Sequence, residues 1–121
     1  MKLLVADDHA LFRDALVCYI ERSEPEAIVL IARDMNEVME VMTGDPDLDL
    51  IMLDLGMPGM DGLSGLSKLK ESCPEVPVAL LSGLAEKEDV EEALRLGAVA
   101  YFPKTMSGRT MVKAIQETID G

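Results

Sequence analysis

Leu50-Ile51-Met52-Leu53-Asp54-Leu55-Gly56-Met57-Pro58 is the stretch that decides the fold. Four apolar residues in a row are too few for a helix, and they stop at a carboxylate before a glycine and a proline turn the chain. So short a run of unbroken apolarity marks a strand covered on both faces, as in parallel sheets, and puts Asp54 at the strand's carboxyl end.

Outward from this run the same pattern recurs at Leu3–Ala6, Ala27–Ile31, Val78–Leu81 and Ala98–Phe102. Between the runs the period becomes helical. Leu11, Ala15, Leu16, Tyr19 and Ile20 make one stripe, Met35, Val38 and Met42 a second, and Leu66, Leu69 and Cys73 a third. Val90, Ala93 and Leu94, then Met111 or Val112 with Ile115 and Ile119, complete the set. Pro25, Gly44-Asp45-Pro46, Pro74 and Gly97 fall where each helix should stop. Five β-α alternations predict an α/β domain of the flavodoxin-like (βα)5 kind, a doubly wound five-stranded parallel sheet with helices on both faces. The strand order 2-1-3-4-5 is carried over from that class, and ligands then bind at the carboxyl ends of the strands.

The 121 residues suit one domain, 1–121. With 23 acidic against 11 basic residues, the net charge of −12 excludes direct nucleic-acid binding by this domain. No apolar run nears the ~20 residues that span a bilayer, and no secretion signal follows Met1, so a soluble, cytoplasmic protein with no membrane partner is expected. Cys18 and Cys73 fall in predicted helices without metal-site spacing and are expected to be buried, reduced thiols.

The residues just past the strands are Asp7-Asp8, Asp54, Ser82 and Lys104. In the order 2-1-3-4-5 the first and third strands are neighbours, so three carboxylates converge. Each close pair repels by about 4 kcal/mol at an effective dielectric near 20, so a cation is needed. Oxygen donors favour Mg2+. Lys104 and the Ser82 hydroxyl can then take phosphoryl oxygens, and Gly83 leaves its backbone N–H open to approach.

Together, the acidic pair in VADDH, the segment DLGMPGMDGL, the LLSG run and the terminal AYFPK resemble the receiver domains of bacterial two-component response regulators. The resemblance spans nearly the whole chain and implies that Asp54 is the phosphoacceptor. It implies that Asp8, Asp54 and the Gly56 backbone carbonyl bind Mg2+, with Asp7 holding it through water. Ser82 and Lys104 would bind the phosphoryl group with the Gly83 and Leu55 backbones, and Ser82 and Tyr101 would move as the switch. Its partner would be a sensor histidine kinase or a histidine phosphotransfer protein. The domain would be no turnover enzyme but a phosphoacceptor that catalyses its own phosphotransfer and slow dephosphorylation, with Gly56 and Leu84 flanking the site and tuning its lifetime.

VADDH, MPGMDGL and the Pro103-Lys104 ending resemble the NarL/FixJ-like (LuxR-type) class, which implies a C-terminal helix-turn-helix DNA-binding domain in a longer protein and an output in transcription. A stand-alone receiver or phosphorelay intermediate is the alternative, and a homodimer formed on phosphorylation suits the class without being legible here. Threonine follows Lys104 where the commonest receiver pattern has proline. A cis bond there would cost roughly 3 kcal/mol, which leaves its geometry open. Pro103 itself suits an edge strand.

Each residue also has a plainer reading. Asp7 and Asp8 can cap the first helix, Asp61 the third, and His9 suits a solvated first-turn position. An aspartate-nucleophile phosphohydrolase would want a second aspartate where Gly56 stands, and a flavodoxin-type cofactor binder would want a Ser/Thr/Gly loop where Asp7-Asp8-His9 stand.

Overall fold

The computed structural model describes residues 1–44, 47–83 and 87–121, with Lys87 described for its backbone alone. Each apolar run becomes a strand: β1 Lys2–Ala6, β2 Ile28–Ala32, β3 Leu50–Asp54, β4 Val78–Ser82 and β5 Ala100–Pro103. Each helical stripe becomes a helix: α1 Ala10–Ser23, α2 Met35–Gly44, α3 Ser64–Ser72, α4 Lys87–Arg95 and α5 Gly108–Asp120. All the pairings are parallel, in the order β2-β1-β3-β4-β5, as the sequence predicts.

Strand alternation sorts the core into two layers. Leu3 and Val5 of β1, Leu50 and Met52 of β3, and Ala79 and Leu81 of β4 pack with Leu16 and Ile20 of α1 and Met111, Val112 and Ile115 of α5. The intervening Leu4 and Ala6, Ile51 and Leu53, and Val78 and Leu80 pack with Val38 and Met42 of α2, Leu66 and Leu69 of α3, and Ala93 of α4. β1, β3 and β4 are therefore covered on both faces.

Several expectations need correction. β2 is an edge strand, and Ile28 and Ile31 are 55% and 47% exposed, so its apolar run is not covered on both faces. On α1 the buried positions are Arg13, Leu16 and Ile20, while Leu11 and Tyr19 face outward. Leu94 is also exposed. Both cysteines are free thiols, but Cys18 is exposed, and Cys73 is half-buried at the C-cap of α3 rather than within it. Asp61 does not cap α3 with its side chain; it takes φ 48 in the turn, and its backbone carbonyl accepts from Ser64. No described peptide bond is cis, so Lys104-Thr105 is trans. Asp45, Pro46 and Leu84 lie outside the described residues.

Candidate functional site

The site grows out of the sheet's register. Ala6 stands opposite Leu53, so the next residues, Asp7 and Asp54, are side by side at the carboxyl edge. Both continue the parity of residues facing α1 and α5. Asp7 is held by one more ladder bond, its N–H donating to the Ala32 carbonyl at 3.0 Å. Its Oδ1 accepts the His9 N–H at 2.8 Å, which makes it an Asp turn leading into α1 rather than a helix cap. Ligand atoms of Asp7, Asp8, His9 and Asp54 all lie within 4.8 Å of one another. Asp7 and Asp54 are buried; Asp8 and His9 are exposed.

Lys104 arrives from β5. Its N–H donates to the Ser82 carbonyl at 3.0 Å, prolonging the β4–β5 ladder, and this aims its side chain back across the sheet edge. The Nζ atom stands 2.8 Å from Asp7 Oδ2, 3.4 Å from Asp54 Oδ2 and 3.1 Å from His9 Nδ1. It also lies 5.0 Å from the centre of the Phe12 ring. Lys104 therefore pairs most closely with Asp7, not Asp54.

Gly56 N–H donates to Asp54 Oδ1 at 3.2 Å, while Asp54 Oδ2 and Asp7 Oδ2 are buried and accept no directed hydrogen bond, although the lysine charge lies near both. Burial pushes the Asp54 carboxyl above the ordinary range, and the Asp7 charge pushes it further; Gly56 and Lys104 pull the other way. Two buried carboxylates and exposed Asp8 outnumber the single ammonium here. Buried oxygens with lone pairs to spare and a surplus of negative charge fit a divalent cation.

Ser82 is buried at the end of β4, one residue past Leu81, which pairs with Asp54, and Gly83 is exposed with open space where a Cβ would stand. Tyr101 is half-buried and packs on the core layer that carries α2 to α4. The Leu55 N–H donates to the Leu81 carbonyl at 3.2 Å, so in this conformation it belongs to the sheet ladder, and Gly56 supplies the N–H that faces Asp54.

Sequence reasoning missed Arg13. It is 8% exposed, and its Nη1 donates to the Asp7 backbone carbonyl at 3.3 Å. Its Nε is 3.5 Å from Asp14 Oδ1 but has no hydrogen-bond partner. The signal was present, since Arg13 lies three residues before Leu16 and seven before Ile20, on the apolar stripe.

The response regulator receiver domain family matches residues 3–116. A glycerol metabolism activator of Pseudomonas putida is 38% identical over 120 residues, 99% of this chain and 54% of that protein. The nitrate/nitrite response regulator protein NarL of Escherichia coli K12 is 32% identical over 127 residues, 98% of this chain and 55% of that one. The chain thus spans about half the length of the curated relatives it matches. Among solved structures, a CheY-like receiver domain protein from Methanospirillum hungatei superposes with a TM-score of 0.88 at 25% identity, covering 98% of this chain and 93% of its own. A LuxR-family DNA-binding response regulator from Silicibacter pomeroyi gives 0.85 at 26% identity, covering 100% and 92%. Strand order, the carboxylate-lysine cluster and a family match over nearly the whole chain agree: this chain belongs to the response regulator receiver domains of two-component signal transduction.

Proposed function

We propose that Asp54 accepts a phosphoryl group from the phosphohistidine of a sensor histidine kinase or histidine phosphotransfer protein, in a reaction that needs Mg2+. The observation that carries this reading is the Asp54 carboxylate itself: buried at a strand end, with an Oδ2 that no directed hydrogen bond holds, beside a lysine and an acidic pair. Asp54 attacks in line, an O–P bond forms as the P–N bond of the donor breaks, and the electron pair leaves with the imidazole. Bound Mg2+ would neutralise charge that develops on the phosphoryl oxygens; Asp8, Asp54 and the Gly56 carbonyl would hold it, and Asp7 would do so through water.

Lys104 must leave Asp7 to pair with a phosphoryl oxygen, so Asp7 parks the lysine until the group arrives. The Ser82 hydroxyl and Gly83 N–H take other oxygens, whereas the Leu55 N–H could do so only by giving up its bond to Leu81. Movement of Ser82, with Tyr101 following, then shifts a two-state equilibrium. The domain catalyses its own phosphorylation and slow hydrolysis without turning over a substrate. In the whole protein the output is transcription through a C-terminal helix-turn-helix domain; the length of the relatives supports this over a stand-alone receiver.

Intact-mass measurement after incubation with acetyl phosphate and Mg2+ tests the assignment. One added phosphoryl is expected for the native chain and none for Asp54→Ala or with chelator. Equal gains in all three samples overturn it.

A further inference from the structure

We propose that Arg13 is a positioning residue for the phosphotransfer: it locks the peptide that joins Asp7 to Asp8, and so sets where both carboxylates of the acidic pair stand. This deepens the proposed function and rests on it. Four polar side chains are buried among the described residues, and three of them, Asp7, Asp54 and Ser82, stand at the strand ends where the phosphoryl group would be held. Arg13 is the fourth, and the mechanism gives it no part. A guanidinium on a buried stripe with Leu16 and Ile20 is costly to keep out of water unless it is bonded there. Asp14 does not account for it, because that carboxylate is exposed, 3.5 Å from Nε, and leaves Nε without a hydrogen bond. The bond Arg13 does make is from Nη1 to the Asp7 backbone carbonyl, six residues back, at 3.3 Å.

That carbonyl belongs to the acidic pair. The C=O of Asp7 and the N–H of Asp8 share one rigid plane, so fixing the oxygen fixes ψ of Asp7 and φ of Asp8 together. The rest of Asp7 is held from elsewhere: its N–H donates to the Ala32 carbonyl at 3.0 Å, and its Oδ1 accepts the His9 N–H at 2.8 Å. The plane leading to Asp8 is what those two bonds leave free to turn, and Arg13 holds it. Asp8 is exposed, so its carboxylate takes its place from the backbone beneath it. Lys104 depends on the same restraint, since Asp7 Oδ2 is its closest partner at 2.8 Å. An arginine suits this task because its fork reaches from α1 to the strand end and keeps its charge at every relevant pH.

Two measurements on the whole chain test this. Arg13→Met keeps the apolar stem and loses the donors. By 15N relaxation in chelator it should lower the order parameter of the Asp8 amide from roughly 0.85 to below about 0.6, with the amides of Leu16 and Ile20 unchanged. With acetyl phosphate and saturating Mg2+, the rate of Asp54 phosphorylation should fall about tenfold in Arg13→Met, but by less than about threefold when Asp8→Asn is already present. If Arg13→Met does not fold, Arg13→Lys, whose ammonium stops one bond short of the Nη1 position, is read in the same two ways. An unchanged Asp8 amide, a loss of order that spreads to Leu16 and Ile20, or rate effects that multiply in the double variant each overturn the inference and leave the proposed function standing. A native chain that takes up no phosphoryl group on Asp54 overturns both.

Discussion

Asp54 carries a conflict that its neighbours only partly resolve. Its carboxyl binds a proton more tightly in the folded chain than in the unfolded one, because burial and the Asp7 charge outweigh Gly56 and Lys104. Folding therefore favours the protonated form: that contribution to stability is present below the ordinary carboxylate pKa of about 4 and is lost as pH rises through the raised folded value. In chelator, Asp54→Asn should match the native chain near the acid end and become progressively more stable than it as pH rises toward neutrality, read as a widening gap in melting midpoint. A gap that does not change with pH would contradict the burial argument. Arg13 gives the opposite case. Its guanidinium satisfies the Asp7 carbonyl inside the fold, so Arg13→Ala should cost about 1–3 kcal/mol in urea unfolding. Its place on the apolar stripe with Leu16 and Ile20 was legible in the sequence; the bond to the Asp7 carbonyl, and so its cost, was not.

At the scale of elements, the start of α2 and two glycines show what local pattern does and does not determine. Asp34 Oδ1 accepts the Glu37 N–H at 2.9 Å, and Glu37 Oε1 reaches back to the Arg33 N–H at 2.6 Å, an arrangement close to a capping box. The Arg33 side-chain bond holds the Glu37 carboxyl down to about 2. Asp34→Ala should lower stability by about 1 kcal/mol, read as a shift in unfolding midpoint with an unchanged slope. Gly65 and Gly108 look alike in sequence, yet a Cβ at each meets a different neighbour. At Gly65 it would come 2.5 Å from Met60 Sδ and 3.1 Å from the Met60 Cα, and Met60 is 1% exposed with nowhere to go. At Gly108 the nearest atoms it would meet belong to the ring of Tyr19, which is half-exposed and can swing outward. Gly65→Ala should therefore cost about 1–2 kcal/mol net of improved helix propensity, and Gly108→Ala under about 1, by the same assay. The strands and their order were legible because continuous apolar runs and strand-end carboxylates are local signals. The exposure of Ile28, Ile31, Leu11 and Tyr19 was not, since it depends on which strand ends as an edge and how α1 tilts over α5. The Lys104 pairing with Asp7 rather than Asp54 likewise depends on how the chain leaves β5 after Pro103, which no spacing encodes.

Across the whole molecule, the net charge of −12 makes any cation stabilising to some degree, so binding at the site must be told apart from screening. Screening acts on every exposed pair, such as Arg33 with Glu37, and depends on ionic strength alone. A cation held by Asp7, Asp8 and Asp54 instead stabilises the folded state by mass action, about 2.7 kcal/mol at a hundredfold excess over its dissociation constant. Titrating Mg2+ at constant ionic strength should raise the native melting midpoint by roughly 10 °C at that excess, at about 4 °C per kcal/mol. Asp54→Asn relieves the same repulsion without the ion and removes a ligand, so the two effects cannot add. The variant should melt above the native chain in chelator yet below it in saturating Mg2+. A crossing of the two curves requires that one carboxylate be both the source of the strain and the means of relieving it. Parallel curves would mean that the cation acts on the surface and not at the strand ends.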